Sequence, residues 1–298
     1  MTAPIVVIGG NGQLGSDLLR VAHEQGRQAT GLTHAEIDIT DPHSIDLALG
    51  SRQPTIVINT AAAHGAWRSA NSAEQESFFK VNALGAWHLA RWCWQNGATL
   101  AHYSTDYVYG AEATRDRPYA ETDAPCPTNL YGASKVAGEQ LVQAYCPAHY
   151  VCRIASVYGA VGARAKGHSN FVKTTLAKIQ SGESMRVVND QWMSPTWTRM
   201  AALKTYELLD ARAPYGVYHL AGSGACTWYE FACEIVRLTG SAIGIEPTTT
   251  SDQPPTDIFL RPRYTALDNA NLRRAGLADL PHWSEALEIF LRTEGLNS

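Results

Sequence analysis

Short β-branched runs alternate with longer amphipathic stretches through the first half of the chain. Residues 4–8 form an apolar run of strand type, a glycine-rich turn follows, and helical periodicity continues to about residue 25. Apolar runs at 28–33, 55–58, 98–103 and 150–155 read as further strands, while residues 73–95 and 131–145 carry a helical period. The stretch 111–128 is broken by prolines and reads as an irregular loop. Beyond residue 156 the pattern loosens. Helices are predicted near 170–181, 196–211, 227–239, 269–275 and 284–293, and short strands at 185–188, 217–220 and 243–248. Strands alternating with helices predict an α/β fold with a doubly wound parallel sheet, whose ligands lie at the carboxyl ends of the strands. Gly12, Ala63, Thr105 and Ser156 each follow a predicted strand, so they converge on one edge.

The turn after the first strand reads Gly9-Gly10-Asn11-Gly12-Gln13-Leu14-Gly15. Its spacing, Gly9-x-x-Gly12-x-x-Gly15, lets the backbone approach a pyrophosphate seated at a helix N-terminus. Residues 1–155 are therefore expected to form a dinucleotide-binding domain. Residues 156–298 are expected to be mainly a smaller α/β substrate domain, with some segments returning to the first. The second strand ends in Thr33-His34 without an acid to hold a ribose 2′-hydroxyl, so NADPH is tolerated as well as NADH, with a mild lean to the former. Asp38 and Ile39 are placed to meet the adenine, and the small residues 61–63 let a cofactor lie against the backbone. Tyr131 and Lys135 are one helical turn apart in Tyr131-Gly132-Ala133-Ser134-Lys135. A phenol can give a proton to a ketone oxygen, and a neighbouring ammonium is expected to lower its ordinary pKa of about 10. Thr105, in Ser104-Thr105-Asp106, offers a second hydroxyl to the same oxygen. A lone Tyr-x-x-x-Lys is common on exposed helices; the glycine turn upstream is what gives this one weight.

Composition narrows the classes. The chain has 298 residues, 45% apolar and 17% charged, enough to bury a real core, and a net charge of −4 gives no basic footprint for nucleic acid. Six cysteines (93, 126, 146, 152, 226, 233) show neither Cys-x-x-Cys nor zinc spacing and read as reduced core residues; no metal site is expected. No stretch looks like a signal peptide, and no apolar run approaches the roughly 18 residues of a membrane span. A cytoplasmic enzyme is expected.

Taken together, these residues resemble the extended short-chain dehydrogenase/reductases, whose sheet is Rossmann-like, and within them the dTDP-4-dehydrorhamnose reductase family. Four motifs carry the resemblance: Gly9–Gly15, Ser104–Gly110, Tyr131–Lys135, and Val187-Val188-Asn189-Asp190-Gln191-Trp192-Met193-Ser194-Pro195-Thr196. Asn170-Phe171-Val172-Lys173, Arg261-Pro262, Leu267-Asp268 and Leu280-Pro281 support it. The resemblance implies Tyr131 as proton donor, Lys135 as the residue that orients the nicotinamide ribose, and Thr105 at the carbonyl oxygen. It places Gly9, Gly12, Gln13, Leu14, Gly15, Asp38, Ile39, Ala63, His64, Gly65 and Tyr103 at the cofactor. Thr105, Asp106, Ser156, Asn170, Trp192 and Arg261 are placed at a nucleoside-diphosphate sugar, and Arg261 and Arg263 are candidates to clamp its diphosphate. The reaction implied is NAD(P)H-dependent reduction at C4 of a 4-keto-6-deoxyhexose, dTDP-4-dehydrorhamnose giving dTDP-L-rhamnose. Alternatives are another nucleotide-sugar 4-ketoreductase of secondary metabolism, and a non-catalytic regulatory subunit of the methionine adenosyltransferase type. Related dehydratases carry two acids after the Thr; here Tyr107 follows Asp106, which argues for simple reduction. Ser156 stands where the family usually has Trp, which opens the sugar wall. The segment 159–169, with Arg164, Lys166 and His168, is either a lid or an ordinary exposed loop. Trp87, Trp92 and Trp94 read as core or subunit contact, and the helices at 73–95 and 131–145 are the candidate homodimer face.

Overall fold

The computed structural model describes residues 4–64, 72–163, 167, 169–252 and 261–296. The first half runs β1 (Ile5–Ile8), α1 (Gln13–Glu24), β2 (Ala29–Leu32), α2 (Pro42–Gly50), β3 (Ile56–Asn59), α3 (Ser72–Phe79), α4 (Ala86–Gln95), β4 (Thr99–Thr105), α5 (Leu130–Tyr145) and β5 (His149–Ile154). The second half continues with β6 (Val157–Tyr158), α6 (Phe171–Ser181), β7 (Met185–Val188), β8 (Trp192–Met193), β9 (Thr196–Trp197) and α7 (Thr198–Asp210). It closes with β10 (Gly216–His219), β11 (Cys226–Thr227), α8 (Trp228–Leu238), β12 (Ile245–Thr248), α9 (Ala270–Arg274) and α10 (Trp283–Thr293).

Six of these strands form one parallel sheet in the order β10-β5-β4-β3-β1-β2. Strands covered on both faces need continuous apolar runs, and Ile5-Val6-Val7-Ile8 is buried throughout. On one face Leu14, Leu18 and Val21 of α1 pack with Ala201, Ala202, Tyr206 and Leu208 of α7. On the other, Ile45 and Leu49 of α2, Leu89, Trp92 and Cys93 of α4, and Val142 of α5 form the cover. Two elements from beyond residue 155, α7 and β10, thus complete the layers of this sheet. A separate cluster of Tyr158, Val172, Leu176, Trp197, Phe231, Phe290 and their neighbours is built by α6, α8, α10 and the short strand pairs. Among the described residues no helix is long and apolar enough to cross a membrane.

Two features depart from the expectations. Asp41 caps an unforeseen helix, α2, by accepting from His43 N at 2.9 Å, with Pro42 in its first turn. The expected helix at 73–95 is two helices joined by a π-helical segment, Lys80–Gly85. That segment lies against α5 so closely that a Cβ on Gly138 would stand 2.1 Å from Asn82 O.

Candidate active site

The chain leaves β1 through Gly9 at φ +80°, and Gly12 N donates to Gly9 O at 2.8 Å. A Cβ on Gly15 would stand 2.2 Å from that same oxygen, so only glycine lets α1 begin this close to the strand. Gly12 precedes α1 with extended backbone and no side-chain cap. Leu14 turns into the core, while buried Gln13 keeps Nε2 without a hydrogen-bond partner among the described residues. A side-chain-free cradle, an uncapped helix start and an orphaned amide suit a dinucleotide pyrophosphate.

At the end of β2 the structure supplies an acid that the strand motif lacks. The chain turns at residues 33–36, and Glu36 Oε2 accepts from Thr33 N and Thr33 Oγ1, both at 2.8 Å. These bonds lower the Glu36 pKa below the usual carboxylate range. The strand end itself, Thr33-His34, carries no acid; Glu36, three residues after Thr33, folds back onto it. Asp38 is half-buried and its Oδ1 accepts from Thr40 N and Oγ1 at 2.9 and 2.8 Å. Ile39 is buried against Gly85.

The catalytic candidates meet at the carboxyl ends of β3 and β4. Asn129 caps α5, its Oδ1 accepting from Gly132 N at 2.9 Å. A Cβ on Gly132 would stand 2.1 Å from Tyr107 O, so the first turn of α5 lies directly on the segment after Thr105. Tyr131 is thereby buried with Thr105, whose side chain pulls the phenol pKa down against burial. His64, Phe78 and Tyr107 surround the ring edge-on at 5.2, 6.1 and 6.2 Å. Thr105 Oγ1 also donates to Asp106 Oδ1 at 3.0 Å and accepts from Tyr107 N at 3.2 Å. Burial pushes Asp106 up to about 6, against the pull of hydrogen bonds from Thr265 and Thr105.

Lys135 is 1% exposed, and its Nζ donates to Tyr103 O at 2.6 Å. Burial pulls its pKa down to about 8, opposed by Glu139 one turn further on. The Tyr131 phenol moves opposite to expectation: burial raises its pKa, with Asp106 and Tyr107 acting in the same direction. The helical spacing puts Tyr131 and Lys135 on one buried stripe, but the ammonium is drawn to the Tyr103 carbonyl rather than to the phenol. Asn82, which carried no signal in the sequence, ties the parts together. Its Oδ1 accepts from Ala63 N at 2.9 Å, and its Nδ2 donates to Ala63 O at 3.1 Å and Ser134 Oγ at 3.0 Å.

The remaining candidates are distributed more widely. Tyr103 contributes its carbonyl; its ring lies in the core, with the hydroxyl bonded to Thr205 of α7. Ser156 is half-buried at the end of β5 with φ +42°. Asn170 caps α6 through Lys173 N and donates to Gly159 O at 3.0 Å and to Gln13 Oε1 at 3.4 Å, so its amide joins the second half to the glycine turn. Trp192 is half-buried and stacks on Tyr264 at 6.3 Å. Arg261 is exposed and its charge acts on the buried Tyr107 phenol, which burial pushes up to about 12. Arg263 donates to the carbonyls of Ala113 and Arg115 at 3.3 Å, which ties it to the 111–128 loop instead of a ligand. Gly65, Arg164, Lys166 and His168 lie outside the described residues.

A doubly wound parallel sheet with a glycine turn at its first helix and a Thr–Tyr–Lys set at its strand ends is the arrangement of the extended short-chain dehydrogenase/reductases. Within that class the RmlD substrate binding domain family matches residues 2–295, and the chain belongs to it. It is 36% identical over 293 residues to a dTDP-4-keto-6-deoxy-D-glucose reductase of Streptomyces niveus, covering 96% of each protein. It is 36% identical over 291 residues to a dTDP-4-dehydrorhamnose reductase of Streptomyces griseus, covering 95% of this chain and 91% of the relative. The crystal structure of dTDP-4-dehydrorhamnose reductase from Bacillus anthracis in complex with NADP superposes with a TM-score of 0.89 at 31% identity, over 98% of this chain and 100% of the other.

Proposed function

We propose that the chain reduces the C4 ketone of a dTDP-4-keto-6-deoxyhexose with NADPH or NADH, taking dTDP-4-dehydrorhamnose to dTDP-L-rhamnose. The observation that carries this reading is the burial of Tyr131 and Thr105 together at the strand ends, with the Thr105 side chain acting on the phenol, in a chain that matches the reductase family along its length. Gly9, Gly12, Gln13 and Gly15 hold the cofactor pyrophosphate at the start of α1, with residues 61–64 beside it. When bound, the nicotinamide supplies the hydride. Tyr131 gives its proton to the oxygen that was the ketone, and Thr105 holds that oxygen. A raised phenol pKa keeps the donor protonated at neutral pH, which suits reduction. Lys135, anchored on the Tyr103 carbonyl, orients the cofactor ribose.

The burial of Tyr131, Thr105 and Lys135 keeps water from the transfer. Asp106, Ser156, Trp192 and Arg261 line the sugar-nucleotide side, and Asn170 acts through Gln13. The dinucleotide part is read as residues 1–155 with α7 and β10 counted in it, and the substrate part as the rest of residues 156–298. Exposed Leu84 of the π-helical segment and Trp94 of α4, with Leu130 and Tyr145 of α5, support a homodimer through that face. Unpaired cysteines support a reducing compartment, the cytoplasm.

A second reading, reduction of a different dTDP-4-keto sugar, is favoured by Ser156 in place of the usual Trp and by the Streptomyces niveus relative. Incubating the protein with NADPH and each dTDP-4-keto sugar, and reading the C4 configuration of the product by NMR, tests both. Consumption of neither sugar would overturn the proposal.

A further inference from the structure

His102 lies on β4, is 1% exposed, and takes part in none of the steps above. Its Nδ1 is 3.1 Å from Asn59 Nδ2, and its Nε2 is 3.5 Å from Lys135 Nζ. Asn59, the last residue of β3, accepts from Ala61 N with Oδ1 at 3.1 Å. A backbone N–H only donates, so the amide oxygen must face Ala61 and the NH2 must face His102. That NH2 also only donates, so Nδ1 presents its lone pair and the ring proton sits on Nε2. The Nε2–H then points at an amine whose charged form has donors and no acceptor. Two opposed donors disfavour the ammonium, whereas a neutral amine accepts the Nε2–H.

Other groups face Lys135 as well. The Tyr103 carbonyl on β4 and Glu139 on α5 favour the ammonium, Glu139 being itself held by Arg153 of β5. Tyr131, one turn back on α5, completes the set. Burial keeps His102 neutral, which agrees with the assigned tautomer.

We propose that Asn59 fixes His102 as its Nε2–H tautomer, and that this pair is a positioning device which holds the Lys135 amine toward its neutral form. Lys135 can then release and regain a proton near neutral pH instead of remaining a fixed ammonium. The chain of bonds ends at the Ala61 N–H, so it orients a dipole and carries no proton away. The functional meaning rests on Lys135 belonging to the reaction centre; the protonation itself does not.

Two measurements on the protein alone test the proposal. In wild type with 15N-labelled histidine, the ring shifts of His102 should show the Nε2–H tautomer; the Nδ1–H pattern would overturn the proposal. With 13Cε-labelled lysine there are six resonances to follow against pH, for Lys80, Lys135, Lys166, Lys173, Lys178 and Lys204. Asn59→Leu frees the tautomer, and His102→Gln offers an oxygen that accepts from the amine. In either folded variant the Lys135 midpoint should rise by about one unit while the other five stay fixed. A Lys135 midpoint that stays or falls would contradict the mechanism, and so would movement of all six together. An inactive enzyme with these shifts intact would count against the functional reading only.

Discussion

Glu139 and Arg153 form an ion pair sealed inside the protein behind Lys135, with Glu139 0% exposed. Arg153 Nη2 donates to Glu139 Oε2 at 2.6 Å, its Nε to Oε1 at 3.0 Å, and its Nη1 to the Tyr109 hydroxyl at 2.6 Å. Replacing Glu139 by Gln keeps the shape but leaves a guanidinium without its counter-charge, a change that costs about 3–5 kcal/mol in buried pairs. Unfolding entropy is about 2.1 cal/mol/K per residue, so 298 residues give about 0.6 kcal/mol/K and the thermal midpoint should drop by about 5–8 °C. The double variant Glu139→Leu/Arg153→Met removes both charges and replaces them with apolar volume. It should melt above Glu139→Gln, because the isolated charge and not the missing attraction causes the loss. Circular dichroism melts of wild type, single and double variants at one scan rate decide this. A double variant that melts below the single one would show that the pair stabilises the fold by its attraction, and would refute the reasoning.

Glu36→Gln should raise the affinity for NADPH relative to NADH by about 2–5-fold, measured by fluorescence titration, since it removes an exposed carboxylate at the end of β2; an unchanged ratio would remove Glu36 from the ribose site. Asp106 has a folded pKa raised from 3.8 to about 6, so the folded state binds its proton more tightly than the unfolded chain. That contribution is fully present below about pH 4 and lost as pH rises through about 6, amounting to about 3 kcal/mol. Asp106→Asn should therefore stabilise the protein at pH 7 and flatten the pH dependence of denaturant midpoints across that window. Ser156→Trp should alter selectivity between dTDP-4-keto sugars by about 10-fold or more without changing cofactor affinity, as competition assays would read. Because Ser156 sits at φ +42°, the same change should cost about 1–2 kcal/mol of stability.

The parts of this site that are legible in the sequence are those whose geometry is local. Gly9–Gly15 and Tyr131–Lys135 are short segments whose spacing alone fixes how close a backbone approaches or which helix face is shared. The strand runs were legible because both faces of the sheet are covered, which forces continuous apolar stretches. Asp41-Pro42 is also a local cap signal. Glu36 was hidden because a turn folds it back onto Thr33. Asn82 was hidden because a π-helical segment has no period of its own inside an amphipathic stretch. The Asn59–His102–Lys135 contact joins three elements far apart in the chain, and only the sheet order brings them together. The expected fall of the Tyr131 pKa failed for a related reason: spacing fixed the shared face of Tyr131 and Lys135, but the tertiary partner of the amine is a carbonyl on β4.

The most direct test of the account is the rate of dTDP-4-keto sugar reduction by Tyr131→Phe, measured beside its cofactor affinity. The substitution keeps the ring packed against His64, Phe78 and Tyr107 and removes only the hydroxyl. Loss of a positioned acid should lower the rate by about 10²–10⁴-fold with NADPH affinity nearly unchanged. A variant that keeps most of the wild-type rate on the authentic keto sugar would mean that the proton comes from another group, and the assignment of Tyr131 would be wrong.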